Sequence, residues 1–334
     1  MKENEKQKNL ILVLLSLVVM LLWGSLFPVG KLSYEKFEIN TKFLPNLLLF
    51  AGVRFMVSGL LITFFQGVRQ KAVPKISSKR EWLGVALVGV FAVMFHYACT
   101  YFGLSMVESS KTALLKQSGV LVFIFFSFLF LKEEKFSIGK GIGAVFGIVS
   151  IVALNLDELG FSFGKGELLI VLASCCTVIS NVVVKKLLKQ TDAVTVTGYS
   201  ELFGGIVLLI IGSSCGGEFV LSGVGDWCLL GYIILATCIS YVLWYAIVQK
   251  NELSKLFIVK FSEPLFAAII GAIILQENLW KAQYLWAFIF VGLALVVSHL
   301  DFPKLFKQRK KKRITADTKH TEELAQYTTQ DIGA

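Results

Sequence analysis

The sequence predicts an all-α membrane protein: ten transmembrane helices in two inverted five-helix repeats, with both termini cytoplasmic. Three observations predict it. Hydrophobic residues fill 55% of the 334 positions and charged residues only 17%, a balance far too apolar for a soluble domain. Ten windows are apolar over the roughly 20 residues that a helix needs to cross a bilayer. Finally, residues 108–133, ESSKTALLKQSGVLVFIFFSFLFLKE, reappear 144 positions later as ELSKLFIVKFSEPLFAAIIGAIILQE at 252–277. The echo keeps Glu108/Glu252, Ser110/Ser254, Lys111/Lys255, Lys116/Lys260, Ser118/Ser262, Leu121/Leu265, Leu131/Leu275 and Glu133/Glu277 in register. The same offset pairs Tyr97 with Tyr241 and Tyr101 with Tyr245. Composition can make two apolar helices look alike, but it does not place serines and lysines in register.

In chain order the spans fall at 9–31, 44–66, 82–104, 110–131, 138–155, 167–188, 194–212, 227–248, 254–275 and 280–299. The first is too long for a signal peptide and lacks a small-residue cleavage site, so it is expected to stay as an anchor. Residues 1–8 then form a cytoplasmic N-terminus, 9–156 the first repeat and 165–299 the second. Residues 300–334 form a basic, disordered cytoplasmic tail. Orientation follows the positive-inside rule. The N-terminus and every second loop after it carry Lys2, Lys6, Lys8, Arg69, Lys71, Lys75, Lys79, Arg80, Lys132, Lys135, Lys140, Lys185, Lys186, Lys189, Lys250 and Lys255. The alternate loops carry only Lys31, Lys36, Lys42, Lys111, Lys165 and Lys281. Both termini are therefore placed inside. Five spans per half is an odd number, so the second half enters the membrane from the opposite face and the repeat is inverted.

Several function classes are excluded. The cysteines Cys99, Cys175, Cys176, Cys215, Cys228 and Cys238 show no metal-ligand spacing and lie mostly in apolar runs, which suits buried thiols. No metal site and no cofactor are expected. Gly139, Gly141 and Ala144 fit a loose dinucleotide pattern, but no strand precedes them. Gly139, Gly143 and Gly147, four residues apart, instead suit close helix packing. Gly160, Gly164 and Lys165 are one residue short of a phosphate loop and lack its Ser/Thr. With no ATP site, uphill work must draw on an ion gradient or the solute's own gradient. The net charge of +10 comes without a nucleic-acid motif. The run Lys304, Lys307, Arg309, Lys310, Lys311, Lys312 and Arg313 is expected to hold the last helix against anionic lipid.

Five charges remain inside spans: Arg54, Lys116, Glu201, Lys260 and Glu263. Each costs about 2.5–3.5 kcal/mol in hydrocarbon on the lenient insertion scale, so such groups normally face a partner or a wet cavity. Lys116 and Lys260 lie about 10 Å deep from opposite faces, at 1.5 Å of rise per residue. Glu263 is three residues past Lys260, on the same helix face, and is its expected partner. At the equivalent place the first half has Gly119, leaving Lys116 without a built-in counter-ion. Lys116 then either receives a carboxylate or other anionic group of a solute, or snorkels or pairs with a distant Glu. Arg54 and Glu201 are expected as a structural lock between the halves, with solute contact by Arg54 the alternative. His96 is read as a packing residue or a proton relay. Tyr97, Tyr101, Tyr241, Tyr245 and Trp23 are expected as cavity walls, although tyrosines near helix ends can also form an interfacial belt. A cavity with cations, an anion and aromatic walls suits a small zwitterionic or amphipathic solute.

The sequence resembles the EamA-type permeases of the drug/metabolite transporter superfamily. The resemblance rests on Trp23-Gly24 with Lys31, Arg54-Phe55, and the Leu131–Glu133 exit of span 4 before a Gly-rich span 5. It also rests on Ser262-Glu263-Pro264 and Leu275-Gln276-Glu277. It covers about residues 9–299. It implies a ten-helix inverted-repeat carrier that moves small metabolites, often by export, through a cavity between the halves. Lys116, Lys260, Glu263, Ser118 and Ser262 with the aromatic walls are then the expected solute contacts, and Arg54, Glu201 and His96 the structural or coupling residues. One departure stands out: the proline expected early in span 4 is Val120, whereas Pro264 is present in span 9. The rival readings are a membrane-embedded enzyme acting on lipid and a channel. The first lacks HExxH or metal-spaced acids, and the second lacks rings of like charge.

Overall fold

The computed structural model describes residues 2–120, 123, 138–154, 156–157, 160–161, 163–250, 256, 260, 262–278 and 282–299. Leu121, Leu131, Glu133, Glu252, Ser254, Lys255 and the tail 300–334 lie outside the described residues. Among the described residues the regular structure is helical apart from one two-residue pairing of Leu156–Asp157 with Gly160–Phe161. We label the helices α1 (Lys2–Lys36), α2 (Leu44–Gln70), α3 (Lys79–Met106), α4 (Ser109–Leu115) and α5 (Ile138–Leu154). They continue with α6 (Lys165–Leu187), α7 (Ala193–Ser214), α8 (Val224–Lys250), α9 (Ser262–Leu275) and α10 (Ala282–His299). Six helices, α1, α2, α3, α6, α7 and α8, are each long and apolar enough to cross a membrane.

One pair of helix ends repeats the spacing of the sequence echo: α2 ends at Gln70 and α7 at Ser214, 144 positions apart. Packing repeats too. Helices α2 and α7 pack on each other, as do α5 and α10, while α1 packs on α8 as α6 packs on α3. Gly139, Gly143, Gly147 and Ser150 are all buried on α5, and Ser150 Oγ donates to the Ala287 carbonyl of α10 at 2.9 Å. The residues suited to close packing therefore form the buried face of that helix.

The α2–α7 contact is a contact of backbones. A Cβ on Gly205 would sit 2.2 Å from the Met56 nitrogen, and one on Gly52 would sit 2.3 Å from the Leu209 nitrogen. Glycine lets two helices approach this closely, and in lipid such packing replaces the hydrophobic drive available in water. One consequence is that Arg54 on α2 and Glu201 on α7 are both held at the centre of the bundle, each 1% exposed.

Helix α3 is not regular. Gly89–Phe95 forms a π-helical stretch inside it, a geometry found mostly as local bulges at functional places. This stretch lies on α7, where a Cβ on Gly89 would be 2.8 Å from the Ser200 carbonyl. Nothing in the 82–104 window signals it, because π and α geometry share one apolar pattern.

At one end of the bundle, loops are tied across the two halves. The carboxylate of Glu277, just past α9, takes the N-terminus of α4. Oε1 accepts from Ser109 N–H and Oγ–H at 2.8 Å each, and Oε2 accepts from Ser110 N–H at 3.1 Å and Oγ–H at 2.6 Å. Lys111 pairs with Glu167 of α6 at 2.8 Å, Lys31 donates to the Val107 carbonyl at 3.1 Å, and Tyr284 hydrogen-bonds Glu108. A negative group at a helix N-terminus meets unsatisfied N–H donors and the positive end of the helix dipole. Glu277→Ala is expected to lower stability by about 1–3 kcal/mol, the scale of hydrogen bonds to a charged group, visible as a lower thermal midpoint. Glu277→Gln should recover part of that loss.

Candidate functional site

Between the halves lies a chamber lined by side chains of α1, α2, α3, α6 and α8 together with Lys116, Lys260 and Glu263. The first wall is built by α1, where Trp23, Leu26 and Phe27 share one face. Helix α3 adds Ala92, His96, Tyr97, Thr100, Tyr101 and Leu104, the i, i+4 and i+8 positions of one stripe. Helix α8 adds Tyr241, Trp244 and Tyr245, and α6 adds Thr177, Ser180 and Asn181. The tyrosines are 2–8% exposed, so they are walls and not an interfacial belt.

Tyr97 and Tyr241, the pair related by the echo, hydrogen-bond each other through their hydroxyls at 3.0 Å.

The two lysines occupy matching backbone breaks. Helix α4 stops at Leu115, and the Gly119 N–H reaches the Lys116 carbonyl at 3.3 Å. Before α9, the Glu263 N–H reaches the Lys260 carbonyl at 3.1 Å. The expected unbroken helix over 254–275, with Lys260 and Glu263 on one face, is therefore corrected: the helix begins at Ser262. Pro264 falls in the first turn of this helix, where its missing N–H breaks no intrahelical hydrogen bond. On the other side Val120 stands in place of proline, yet the break forms, tightened by the three-residue turn at Lys116.

Lys116 is not left without a protein counter-ion. Its Nζ lies 4.0 Å from Glu263 Oε1, supplied by the opposite half. The cations also lie on ring faces. Lys116 is 4.9 Å from the centre of Phe27, and Lys260 is 5.1 Å from Trp23 and 5.4 Å from Trp244. Desolvated contacts of this kind are worth about 2 kcal/mol and hold an ammonium group away from water.

Arg54 does not form the expected lock with Glu201. Its Nε–H donates to Thr237 at 2.7 Å and Nη1–H donates to the Tyr101 hydroxyl, while its guanidinium lies 4.7 Å from the centre of Phe55 and 5.0 Å from that of Tyr97. Both Glu201 oxygens lack hydrogen-bond partners among the described residues. His96 Nδ1 is 2.9 Å from the Ala173 carbonyl and 2.9 Å from Thr177 Oγ1, so it joins α3 to α6 while lining the chamber. Ser118 is turned from the chamber and shares a 2.8 Å hydrogen bond with Ser174 Oγ. Ser262 opens α9 and is not among the lining residues.

Sequence reasoning missed Thr177, Ser180 and Asn181, although TVISN is a polar interruption in an apolar span. Asn181 Oδ1 accepts from Trp244 Nε1–H at 3.1 Å and orients that indole. Three buried donors of the lining lack partners among the described residues: Trp23 Nε1, Arg54 Nη2 and Thr100 Oγ1. About 50 Å³ of the chamber is open to the centre of a water-sized sphere, enough for a few waters and too small for a metabolite.

The fold and chamber describe a multi-pass membrane protein with a polar site between its helices. The EamA-like transporter family model matches residues 10–156 and 164–298. The chain belongs to this family, whose members are transporters of the drug/metabolite type, and it is a membrane transporter. It is 24% identical over 306 residues to YvbV of Bacillus subtilis (strain 168), an uncharacterized transporter, covering 90% of this chain and 92% of that one. It is 22% identical over 276 residues to the transporter YoaV of the same organism, covering 78% and 87%. A WAT1-related chloroplastic protein of Arabidopsis thaliana is 27% identical over 269 residues, with 76% of this chain spanning 62% of the plant protein. A crystal structure shares the fold at a TM-score of 0.63 and 16% identity, over 88% of this chain and 98% of the other.

Proposed function

We propose that the protein is a secondary transporter of the cell membrane that exports small metabolites, amino acids or related amphipathic solutes, by alternating access. Ten spans in two inverted five-helix repeats, with both termini cytoplasmic, would rock about the chamber. Export is what the family resemblance implies. The observation that carries the reading is the donor set of the chamber. Trp23 Nε1–H, Arg54 Nη2–H and Thr100 Oγ1–H are buried without partners among the described residues, beside Lys116 and Lys260. A buried donor left unmet costs about 1–3 kcal/mol, so the wall is built to meet an acceptor-rich group such as a carboxylate. Glu263 offers the complementary anion for an ammonium group. The matching ends of α2 and α7 and the Tyr97–Tyr241 contact support a pseudo-two-fold through this site.

The small volume supports a contracted state in which the walls must part before a solute enters. The ties around Glu277 and Lys111 belong to the end that the charge distribution assigns to the outside. Purified protein in liposomes, loaded with unlabelled amino acids and supplied with a radiolabelled mixture of the proteinogenic amino acids, is expected to accumulate label by counterflow. Failure to exchange this mixture together with a small-metabolite panel would overturn the reading.

A further inference from the structure

Glu201 is a buried carboxylate that does not line the chamber. It sits mid-helix on α7, 1% exposed, with neither oxygen hydrogen-bonded among the described residues. The glycines one turn to either side of it on α7 are tightly packed. Gly204 on one side would place a Cβ 2.6 Å from the Val93 side chain, and Gly198 on the other would place one 2.6 Å from Thr63 Oγ1. Every element packed on α7 brings a titratable or charged group within electrostatic reach: Arg54 from α2, Tyr97 from α3, and Cys238, Tyr241 and Tyr245 from α8. Arg54 is the lone cation of that set, and its hydrogen bonds run to Thr237 and Tyr101, leaving Nη2 without a partner.

An ionised carboxylate buried without hydrogen bonds is held only at a cost of several kcal/mol, whereas the protonated acid is tolerated. This arrangement, with the guanidinium bound elsewhere, is the one expected when Glu201 carries a proton. Removing that proton creates a charge beside Arg54 in a low dielectric and draws the guanidinium toward α7. Because Arg54 also lines the chamber, its position there changes with the state of Glu201.

We propose that Glu201 is a proton-binding site of this transporter and that it controls solute binding through Arg54. Protonated Glu201 leaves the Arg54 charge to a solute carboxylate in the chamber; deprotonated Glu201 takes that charge for itself. Proton and solute then favour one another's binding reciprocally, and the doubly loaded carrier moves both in one direction, so a solute exported down its own gradient takes a proton out with it. The π-helical stretch Gly89–Phe95, packed on α7 at Ser200–Gly204, supplies a deformable wall next to the acid. The coupling rests on the transporter reading above; the proton site itself does not.

Two measurements separate these parts. In pH-difference infrared spectra of the solute-free protein in lipid, the wild type is expected to show the carbonyl stretch of a protonated carboxylic acid that vanishes as pH rises. Glu201→Gln should abolish that band and Glu201→Asp should shift it, while Glu277→Gln keeps it. A band unchanged in Glu201→Gln overturns the proton site. If the Gln variant does not fold, an unshifted band in Glu201→Asp overturns it equally. In the amino-acid counterflow assay, apparent wild-type affinity should fall by up to about tenfold per pH unit once Glu201 ionises, the limit for one coupled proton. Glu201→Gln should hold the low-pH affinity at all pH values. A wild-type pH slope surviving in Glu201→Gln overturns the coupling, whereas absence of any exchange with the infrared band intact overturns the transporter reading alone.

Discussion

Lys116→Ala is expected to cut solute exchange by about 10- to 100-fold, the worth of one charge-assisted hydrogen bond of about 1.5–3 kcal/mol. The loss should appear chiefly as weaker apparent affinity. The side chain is partly buried, 4.0 Å from Glu263 and over Phe27, so its removal also leaves the carboxylate with one cation fewer in a confined space. A purely structural lysine would act differently: Lys116→Ala would then lower the thermal midpoint while leaving the affinity of the surviving folded fraction unchanged. Lys116→Arg provides a second arm. It keeps the charge but replaces a point cation by a planar fork, so affinity should recover partly and solute selectivity should change. Exchange by Lys116→Ala at the wild-type rate and affinity would remove the anchor of the proposed site.

Gly205→Leu is expected to abolish stable folding in detergent, and Gly205→Ala to lower stability by roughly 3 kcal/mol or more, at or beyond the upper end of ordinary overpacking. Helix propensity alone predicts the opposite sign, because alanine is about 1 kcal/mol better than glycine inside a helix. The collision decides: a Cβ at Gly205 would stand 2.2 Å from the Met56 nitrogen and 2.6 Å from the Phe55 carbonyl carbon, both backbone atoms that cannot swing aside. Gly231, with nothing within 4 Å of its virtual Cβ, is the contrasting site, where alanine should be neutral or stabilising. Thermal unfolding of the pair, read side by side, checks both signs. A Gly205→Ala variant as stable as wild type would show that α2 and α7 separate at little cost.

The glycine contact also bears on function. Helix α2 carries Arg54 and α7 carries Glu201, so the spacing between these helices sets how far the guanidinium stands from the acid. Side chains at the interface would widen that gap and weaken any coupling through it, even in molecules that still fold.

Much of this molecule was determined by the sequence itself. Apolar windows located the helices because hydrocarbon admits only segments that satisfy their own backbone hydrogen bonds. The echo set Lys116 against Lys260 and Tyr97 against Tyr241, and all four line the same chamber. Charges in spans pointed to the interior because burial without purpose is costly, and Lys116, Lys260, Glu263 and Arg54 do line one chamber. The start of α9 at Ser262 was not foreseen: Pro264 is tolerated in a first turn, but its presence does not say where that turn begins. Partner choice was another matter. Lys116 meets Glu263 across 147 positions of sequence, Arg54 meets Thr237 and Tyr101 while its Nη2 and Glu201 stay without hydrogen-bond partners, and Ser118 meets Ser174. These pairings depend on distances of a few ångströms between helices far apart in the chain. Those distances are set by glycine contacts and a π-helical stretch that leave no periodic signature in an apolar sequence, so only the tertiary structure decided them.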